Sequence, residues 1–329
     1  MYNINMARRK KENDKNKFIG MILTLCIIAV LTIVANIRGQ SFGEFWDEIR
    51  DRFFDTSDNI ERVDKDAQNL ADLANNSDKL LLYVIDTGNS DCIVIRSPEG
   101  NSMIVDAADN DDSIHISAVL RSFGIENLDY AVATHPDADH IGSMDEVITE
   151  FKPKHFLMPN YIKNTATYTQ MIDALYENEI DTTVVEEHNS FDLGSVYVEV
   201  LQPLHTYDDP NDSSIVLLVK FGKTEVLLTG DIEDEAIDDL LETYPHLIDV
   251  DILKVAHHGS STSTSAEFLN ATTPDIAIIT CGKDNDYGHP HKETIELLEE
   301  DHIEILRTDL NGDIAITSDG TNIYYSTAA

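Results

Sequence analysis

The loop at residues 134–140 has the sequence THPDADH and places four metal-ligating side chains within six residues. These side chains are His135, Asp137, Asp139 and His140. Imidazole and carboxylate groups suit zinc or manganese, and ligands that alternate along a loop can face two ions. A polar turn in which an aspartate caps a helix would explain one of these residues, but not all four together. The spacing therefore predicts a metal site of the kind that activates water for hydrolysis.

Further ligand-type residues follow other apolar segments of the chain. They are Asp231 after KTEVLLTG, His257 and His258 after VDILKVA, and His289 within DYGHPH. A single histidine is more often structural than a metal ligand, so none of these residues is informative alone. Because each lies at the carboxyl end of an apolar segment, as the loop at 134–140 does, we expect the fold to bring them together.

Hydrophobic periodicity indicates which elements would position these residues. Short apolar runs bounded by turn residues predict strands at LLYVIDTG, DCIVIRSP, SMIVDAAD, LDYAVATH, SVYVEVLQP, SSIVLLVKFG, KTEVLLTGD, VDILKVAHH, PDIAIITCG, IEILRTD, DIAITS and TNIYYST. Helical spacing predicts helices at 114–123, 145–151, 233–243 and 291–301. Two runs of strands interleaved with helices predict an α/β (α+β) fold, in which two sheets pack face to face with helices outside.

The segments THPDADHIG, LLTGD, LKVAHHGS and YGHPH together resemble the metallo-β-lactamase superfamily. Within it they are similar to the ComEC-like branch, named for a competence channel protein whose soluble domain carries this fold. The resemblance covers residues 80–325. It implies a four-layer αββα sandwich with the metal site along one edge of the two sheets, which agrees with the strand pattern.

The resemblance also implies a role for each residue of the loop. The usual superfamily loop reads HxHxDH, and in this chain Asp137 stands where the second histidine would be. His135 and Asp137 would bind a first ion, while Asp139 and His140 would bind a second. Asp231 would bridge the two ions. The expected cofactor is therefore a pair of divalent metal ions, with Zn²⁺ favoured and Mn²⁺ as the second candidate.

Three later histidines complete the set that the resemblance implies. His289 matches the late histidine ligand of the family. His257 or His258 would be either a ligand or the general acid that protonates the leaving group. We place Asp139 with these two histidines among the candidate catalytic residues, and His257 also among the candidate ligands.

The chain departs from the family pattern at three places. The superfamily usually has another histidine between the HxHxDH loop and the bridging aspartate, and His205 lies in that interval. The ComEC-like pattern there is N-x-x-S, which Asn211 and Ser214 match. Residues 86–91 and 106–109 correspond to a VGQGD-like turn and a DxG turn but lack some of the glycines.

The charge balance limits the substrates that the protein can attract. The chain has 23 Lys and Arg against 61 Asp and Glu, for a formal net charge of −38. Residues 79–329 hold 12 of the basic and 48 of the acidic side chains. Scattered acidic residues favour solubility, but a field of this sign repels polyanions. A nucleic-acid substrate would therefore need a local basic patch or the help of metal ions.

The amino-terminal region has the pattern of a membrane anchor. Basic residues are concentrated in residues 1–17, and residues 18–37 form an apolar run of 20 residues without a charge before Arg38. Such a run can cross a bilayer, and the basic side is expected to stay in the cytoplasm. A cleaved signal peptide is the alternative, although no small-x-small cleavage site follows the run. An uncleaved anchor is favoured.

Between the anchor and the catalytic domain, residues 38–78 are expected to hold a juxtamembrane helix at 41–55 and an acidic linker. The hydrolase domain would occupy residues 79–329 and face the outside of the cell. The three cysteines, Cys26, Cys92 and Cys281, show no CxxC spacing, so the metal site must depend on histidine and aspartate.

These features favour a membrane-anchored phosphodiesterase or nuclease of the ComEC-like type that acts outside the cell, with DNA as a candidate substrate. One alternative is hydrolysis of another ester, a lactone or a β-lactam, because the same metal centre serves all of these reactions. A second alternative is a non-catalytic, membrane-tethered binding module. The sequence indicates no protein partner.

Overall fold

The apolar runs form two β-sheets in the computed structural model, which describes residues 60–62, 70, 73, 75, 78–185 and 189–329. The strands are β1 (Ile60–Arg62), β2 (Leu80–Val84), β3 (Ile93–Arg96), β4 (Ser102–Val105), β5 (Tyr130–Val132), β6 (His155–Met158), β7 (Asp181–Val184), β8 (Ser190–Leu193), β9 (Val196–Gln202), β10 (Val216–Phe221), β11 (Thr224–Leu228), β12 (Ile252–Lys254), β13 (Ile276–Ile279), β14 (Glu304–Arg307), β15 (Ile314–Ser318) and β16 (Ile323–Thr327).

Helices connect many of these strands. They are α1 (Ser113–Ser122), α2 (Ala138–Ile141), α3 (Met144–Phe151), α4 (Ala166–Glu177), α5 (Asp234–Thr243), α6 (Ala266–Thr272), α7 (Lys292–Glu300) and α8 (Thr308–Asn311), with a 3₁₀ turn at His257–Gly259. Helix α3 shows the pattern that holds them on the sheets. Its buried residues Met144, Val147, Ile148 and Phe151 recur at helical spacing, while Asp145 and Glu146 lie in the first turn, where the helix dipole favours negative charge.

The first sheet has the strand order β1-β16-β15-β2-β3-β4-β5-β6-β7, and the second has the order β14-β13-β12-β11-β10-β9-β8. Strands β4 to β7 pair in parallel, as do β11 to β14. The carboxyl ends of parallel strands lie along the same edge of a sheet. The loops that follow strands of each parallel group are therefore brought close together.

Strand β2 shows why these segments lie in the middle of a four-layer structure. All five of its residues are buried. Leu80, Leu82 and Val84 pack in the core between the two sheets, whereas Leu81 and Tyr83 pack in the core beneath the helices. Successive side chains of a strand point to opposite faces, so a strand covered on both faces needs a continuous apolar run.

The predicted sandwich of two sheets flanked by helices is confirmed. The four predicted helices appear as α1, α3, α5 and α7, each within one residue of its predicted ends. Helix α4 and strands β6 to β8 lie in a stretch for which the sequence predicted no element. The sequence of α4, ATYTQMIDALYE, buries only Met171, Ala174 and Leu175, so its apolar pattern is weak.

The amino-terminal predictions fall largely outside the described residues. The predicted membrane helix at 18–37 and the helix at 41–55 both lie there. In the part of the chain that the structure does describe, no helix is both long and apolar enough to cross a membrane. Strand β1 lies in the segment expected to be a linker, pairs with residues 323–325, and belongs to a compact unit that begins at residue 59.

Gly142 joins α2 to α3, directly after the metal-ligand loop, and its backbone is in the ordinary helical region (φ −55°). Its N–H donates to the carbonyl of Ala108 at 2.7 Å. A Cβ atom at this position would lie 2.3 Å from the carbonyl carbon of Asp109 and 2.4 Å from the nitrogen of Asn110. The glycine is therefore required by the close approach of two backbones rather than by its own conformation.

We expect Gly142→Ala to destabilise the protein by about 3 kcal/mol, because backbone must move to admit the methyl group. Gly124→Ala is the control: Gly124 has φ +72° with no heavy atom within 4 Å of its added Cβ. That variant should lose only about 1 kcal/mol, from the left-handed conformation. Urea unfolding measures both losses, and equal losses would contradict this account of Gly142.

Candidate metal centre

Each candidate ligand lies beyond the carboxyl end of a strand. The loop at 134–140 connects β5 to α2, Asp231 follows β11, and the 3₁₀ turn with His257 and His258 follows β12. Strands β11 and β12 are parallel neighbours, so the residues after them are close in space. The N–H of Ile215 donates to the carbonyl of Thr134 at 2.9 Å, which joins the second sheet to the ligand loop.

Four of the predicted residues form one cluster. The ligand atoms of Asp139, His140, Asp231 and His258 all lie within 4.8 Å of one another. Nε2 of His140 is 3.2 Å from Oδ2 of Asp231. Nε2 of His258 is 3.5 Å from Oδ2 of Asp231 and also 3.5 Å from Oδ2 of Asp139. Two ligands held about 2.1 Å from one tetrahedral ion lie about 3.4 Å apart, so these separations fit a divalent metal.

Unpartnered atoms in the cluster support the same conclusion. Nε2 of His140, Nε2 of His258 and Oδ1 of Asp231 are buried, and within the described part of the chain they have no hydrogen-bond partner. Buried polar atoms nearly always have a partner, and leaving one without is costly. A divalent ion would satisfy all three atoms, so the residues present fit a metal ion.

Asp106 orients His140 from behind. Its Oδ2 is 2.7 Å from Nδ1 of His140, and the carboxylate also accepts hydrogen bonds from the N–H and the hydroxyl of Thr134. This contact fixes the ring so that Nε2 points into the cluster, as outer-shell carboxylates do for metal-binding histidines. Burial lowers the pKa of His140, but Asp231 and Asp106 outweigh it and raise the pKa well above its usual value. The same negative surroundings would stabilise a bound cation.

His258 is also held by residues behind it. Its Nδ1 donates to the carbonyl of Thr280 at 2.9 Å and lies 3.5 Å from Oδ1 of Asp91. Asp91 in turn forms a buried ion pair with Lys254, whose Nζ is 2.9 Å away. Burial raises the pKa of Asp91, but Lys254 and His258 more than reverse this effect, so the carboxyl stays ionised.

The geometry distinguishes the two adjacent histidines that the sequence left open. His258 is buried and enters the cluster, whereas the side chain of His257 is 24% exposed and its Nδ1 lies 2.8 Å from Oε1 of Glu233. Both residues have positive φ angles, 47° and 53°. This turn directs the two rings differently, so His258 is the ligand candidate and His257 lies beside the cluster.

Seven of the predicted residues line a pocket of about 170 Å³ over the cluster. His135, Asp137, Asp139, Asp231, His257, His258 and His289 all line it, together with Asn89, Asn211 and Tyr287. Burial lowers the pKa of His135 to about 3. Burial, followed by repulsion from His257 and other nearby histidines, lowers the pKa of His289 to about 4. Both rings are therefore held neutral, the form in which imidazole binds a metal.

His205 does not join this pocket. Its side chain is half exposed, and its Nε2 lies 2.8 Å from Oδ2 of Asp239. Asn211, which matches the ComEC-like pattern, lines the pocket instead. Sequence reasoning assigned no role to Asp91 or Asp106, although both lie in the turns that depart from the family pattern. The available signal was an acidic residue close to a buried strand: Asp106 directly follows β4, and Asp91 lies two residues before β3.

Comparison with known proteins gives the class of the molecule. The family model described as the metallo-beta-lactamase superfamily matches residues 85–283. The chain therefore belongs to the metallo-β-lactamase superfamily, whose fold binds divalent metals. Together with the ligand cluster, this membership confirms the expected enzyme class, a metal-dependent hydrolase of this fold.

Individual relatives confirm the resemblance to the ComEC-like branch. ComE operon protein 3 of Bacillus subtilis is 35% identical over 59% of this chain and 25% of its own length. Competence protein ComA of Neisseria gonorrhoeae is 31% identical over 59% of this chain and 26% of its own. Recombination protein 2 of Haemophilus influenzae is 29% identical over 76% of this chain and 27% of its own length. The aligned regions span about a quarter of each relative.

We expect His258→Ala and His257→Ala to differ in metal binding. Removing His258 deletes a ligand, so the affinity for Zn²⁺ or Mn²⁺ should fall by more than the roughly 10–100-fold typical of losing an outer contact. His257→Ala should change it only a few-fold, because Glu233 rather than the cluster holds that ring. Calorimetric titration of the full chain tests this, and an inverted order would reject the assignment of His258.

Proposed function

We propose that this protein is a metal-dependent phosphodiesterase of the ComEC-like type, with nuclease activity. The observation that carries the proposal is the cluster of Asp139, His140, Asp231 and His258 at the base of an open pocket. Relatives named as competence and recombination proteins support a nucleic-acid substrate. Because the chain spans only about a quarter of those relatives, their whole activity is not carried over.

When bound, the metal would polarise the phosphate and supply hydroxide at neutral pH by lowering the pKa of a coordinated water. The residues of this chain supply the rest of the chemistry. Asp106 and Thr280 hold the rings of His140 and His258 in place, so that no reorganisation is needed during the reaction.

His257 is suited to protonate the departing oxygen. It lines the pocket beside the cluster, and its contact with Glu233 uses Nδ1 and leaves Nε2 for a substrate. The contact with Glu233 fixes the orientation of the ring. A general acid of this kind matters most when the leaving group is a poor one, as the sugar hydroxyl of a nucleic acid is.

The acidity of the domain limits how a polyanion reaches this pocket. With a formal net charge of −38 for the chain, contact between a long nucleic acid and the protein surface is unfavourable. Recognition therefore depends on the metal ion and on Lys163, whose ammonium group pairs with Asp137 in the lining of the pocket. This favours substrates that present one phosphodiester at a time, such as a single strand or its end.

The proposal includes the location of the enzyme. The apolar run at 18–37, with basic residues before it, supports a single-pass anchor whose amino terminus is cytoplasmic. The catalytic unit would then act outside the cell. Residues 18–37 would hold the enzyme in the membrane. Its phosphodiester substrate would reach the catalytic unit from outside the cell.

The full chain, loaded with Zn²⁺ or Mn²⁺, should hydrolyse bis(p-nitrophenyl) phosphate and a single-stranded oligonucleotide. Chelation should abolish turnover, and Asp231→Ala should lower it by on the order of 100-fold or more, because a buried ligand at the reacting centre is lost. A lactone and a β-lactam serve as competing substrates. Faster turnover of either one, with no cleavage of phosphodiesters, would reject the phosphodiesterase in favour of that activity.

Substitution of His257 separates its role from metal binding. His257→Ala should slow cleavage of the oligonucleotide by about 10²–10⁴-fold, since its leaving oxygen needs a proton. The same variant should cleave bis(p-nitrophenyl) phosphate nearly as fast as the wild type, because p-nitrophenolate leaves without protonation. His205→Ala, on the surface beside Asp239, is the control and should change neither rate. Equal losses on both substrates would show that His257 is not the acid.

A further inference from the structure

The residues assigned to the first metal ion do not form a site as complete as that of the second. Both groups of His and Asp side chains whose ligand atoms converge within the described residues include His140, and neither includes His135 or Asp137. Of the two residues assigned to the first ion, His135 is the one imidazole, and Asp137 stands where the usual family loop has a second histidine. Asn211, with a neutral amide, lines the pocket in the interval where His205 was considered.

Asp137 has a partner of a different kind. The ammonium group of Lys163 donates a short hydrogen bond to Oδ1 of Asp137 and forms an ion pair with it. The two side chains are similarly exposed, 30% for Lys163 and 29% for Asp137. One carboxylate oxygen of the ligand candidate is thus already bound to a cation that belongs to the protein.

The loop that carries Lys163 is anchored on both sides. It connects β6 to α4, and helix α4 begins with the side chain of Thr165 accepting from the N–H of Tyr168. On the other side, the hydroxyl of Tyr161 donates to the carbonyl of Asp208 at 3.1 Å. These contacts tie the lysine loop to the segment that leads to Asn211, so the loop lies beside the pocket.

Charge and ligand number both disfavour a divalent ion beside this lysine. An ammonium group is a compact positive charge with three donors and no acceptor, so it repels an incoming cation and offers no ligand atom. An ion at this place would have to share Asp137 with Lys163 and would find one histidine among the residues assigned to it, His135. In the described residues, the buried ammonium of Lys254 pairs with Asp91, and no lysine forms an ion pair with Asp139 or Asp231.

We propose that Lys163 takes the place of the first metal ion. The centre binds one divalent ion, at Asp139, His140, Asp231 and His258, and the ammonium group of Lys163 supplies the second positive charge beside the substrate. For an anionic substrate such as a phosphodiester, this arrangement keeps two cationic groups at the pocket. The inference concerns the site of the proposed function and rests on its metal binding, but not on which ester it cleaves.

The test is a count of ions on the full chain, stripped with a chelator and then titrated with Mn²⁺. Calorimetry gives the stoichiometry, and elemental analysis after dialysis gives the ions retained. The wild type should bind one ion per chain. Lys163→Met removes the charge at similar length and frees Asp137, so a second, weaker ion should bind. Lys163→Arg keeps the charge and should stay at one ion.

A double variant controls for indirect effects. Lys163→Met combined with Asp137→Ala should return to one ion, because the second site needs the freed carboxylate. Circular dichroism verifies that each variant is folded, and Lys163→Gln replaces Lys163→Met if the latter is not. Two ions on the wild type, or one ion on both the Met and Gln variants, would overturn the inference.

These outcomes are independent of the proposed activity. A chain that shows the expected ion counts but cleaves no phosphodiester would reject the phosphodiesterase function and leave the role of Lys163 standing. Two ions on a wild-type chain that cleaves phosphodiesters would support the phosphodiesterase function and reject the role of Lys163.

Discussion

Asp231 is a buried, negatively charged residue at the edge where the two sheets meet, and much of the surrounding structure compensates for its charge. Asp91, Asp106 and Asp139 add further carboxylates around the same centre. Among the described residues, the buried ammonium group of Lys254 pairs with one of them, Asp91. Unpaired charge in a protein interior is costly. A divalent cation held by these residues would offset the imbalance.

The compensation is organised in two shells. His140 and His258 approach Asp231 with one ring nitrogen each, and their other nitrogens contact Asp106 and the carbonyl of Thr280. These outer contacts come from the ends of strands β4 and β13, in different sheets. The ligand geometry is thus set by the packing of the sandwich, whose strands are buried on both faces and have little freedom to shift.

Much of this could be predicted from the sequence, for reasons that particular residues make clear. The loop at 134–140 is compact, so its four ligands are visible together, and continuous apolar runs such as LLLYV predict strands covered on both sides. The sequence did not predict which of His257 and His258 enters the cluster, because this depends on positive φ angles at two adjacent residues. Lys163 could not be assigned to Asp137 either, since the two residues are 26 positions apart in the sequence, with α2, α3 and β6 between them.

The origin of the four cluster residues has one more consequence. Asp139 and His140 follow a strand of the first sheet, whereas Asp231 and His258 follow strands of the second, so an ion bound to all four would tie the two halves of the sandwich together. Binding of the ion to the folded form alone adds about 2.7 kcal/mol of stability when free metal is at 100 times its dissociation constant. Scarcity of metal would therefore loosen the seam between the sheets as well as stop the chemistry. The lifetime of the protein and its activity would then be governed by the same ion.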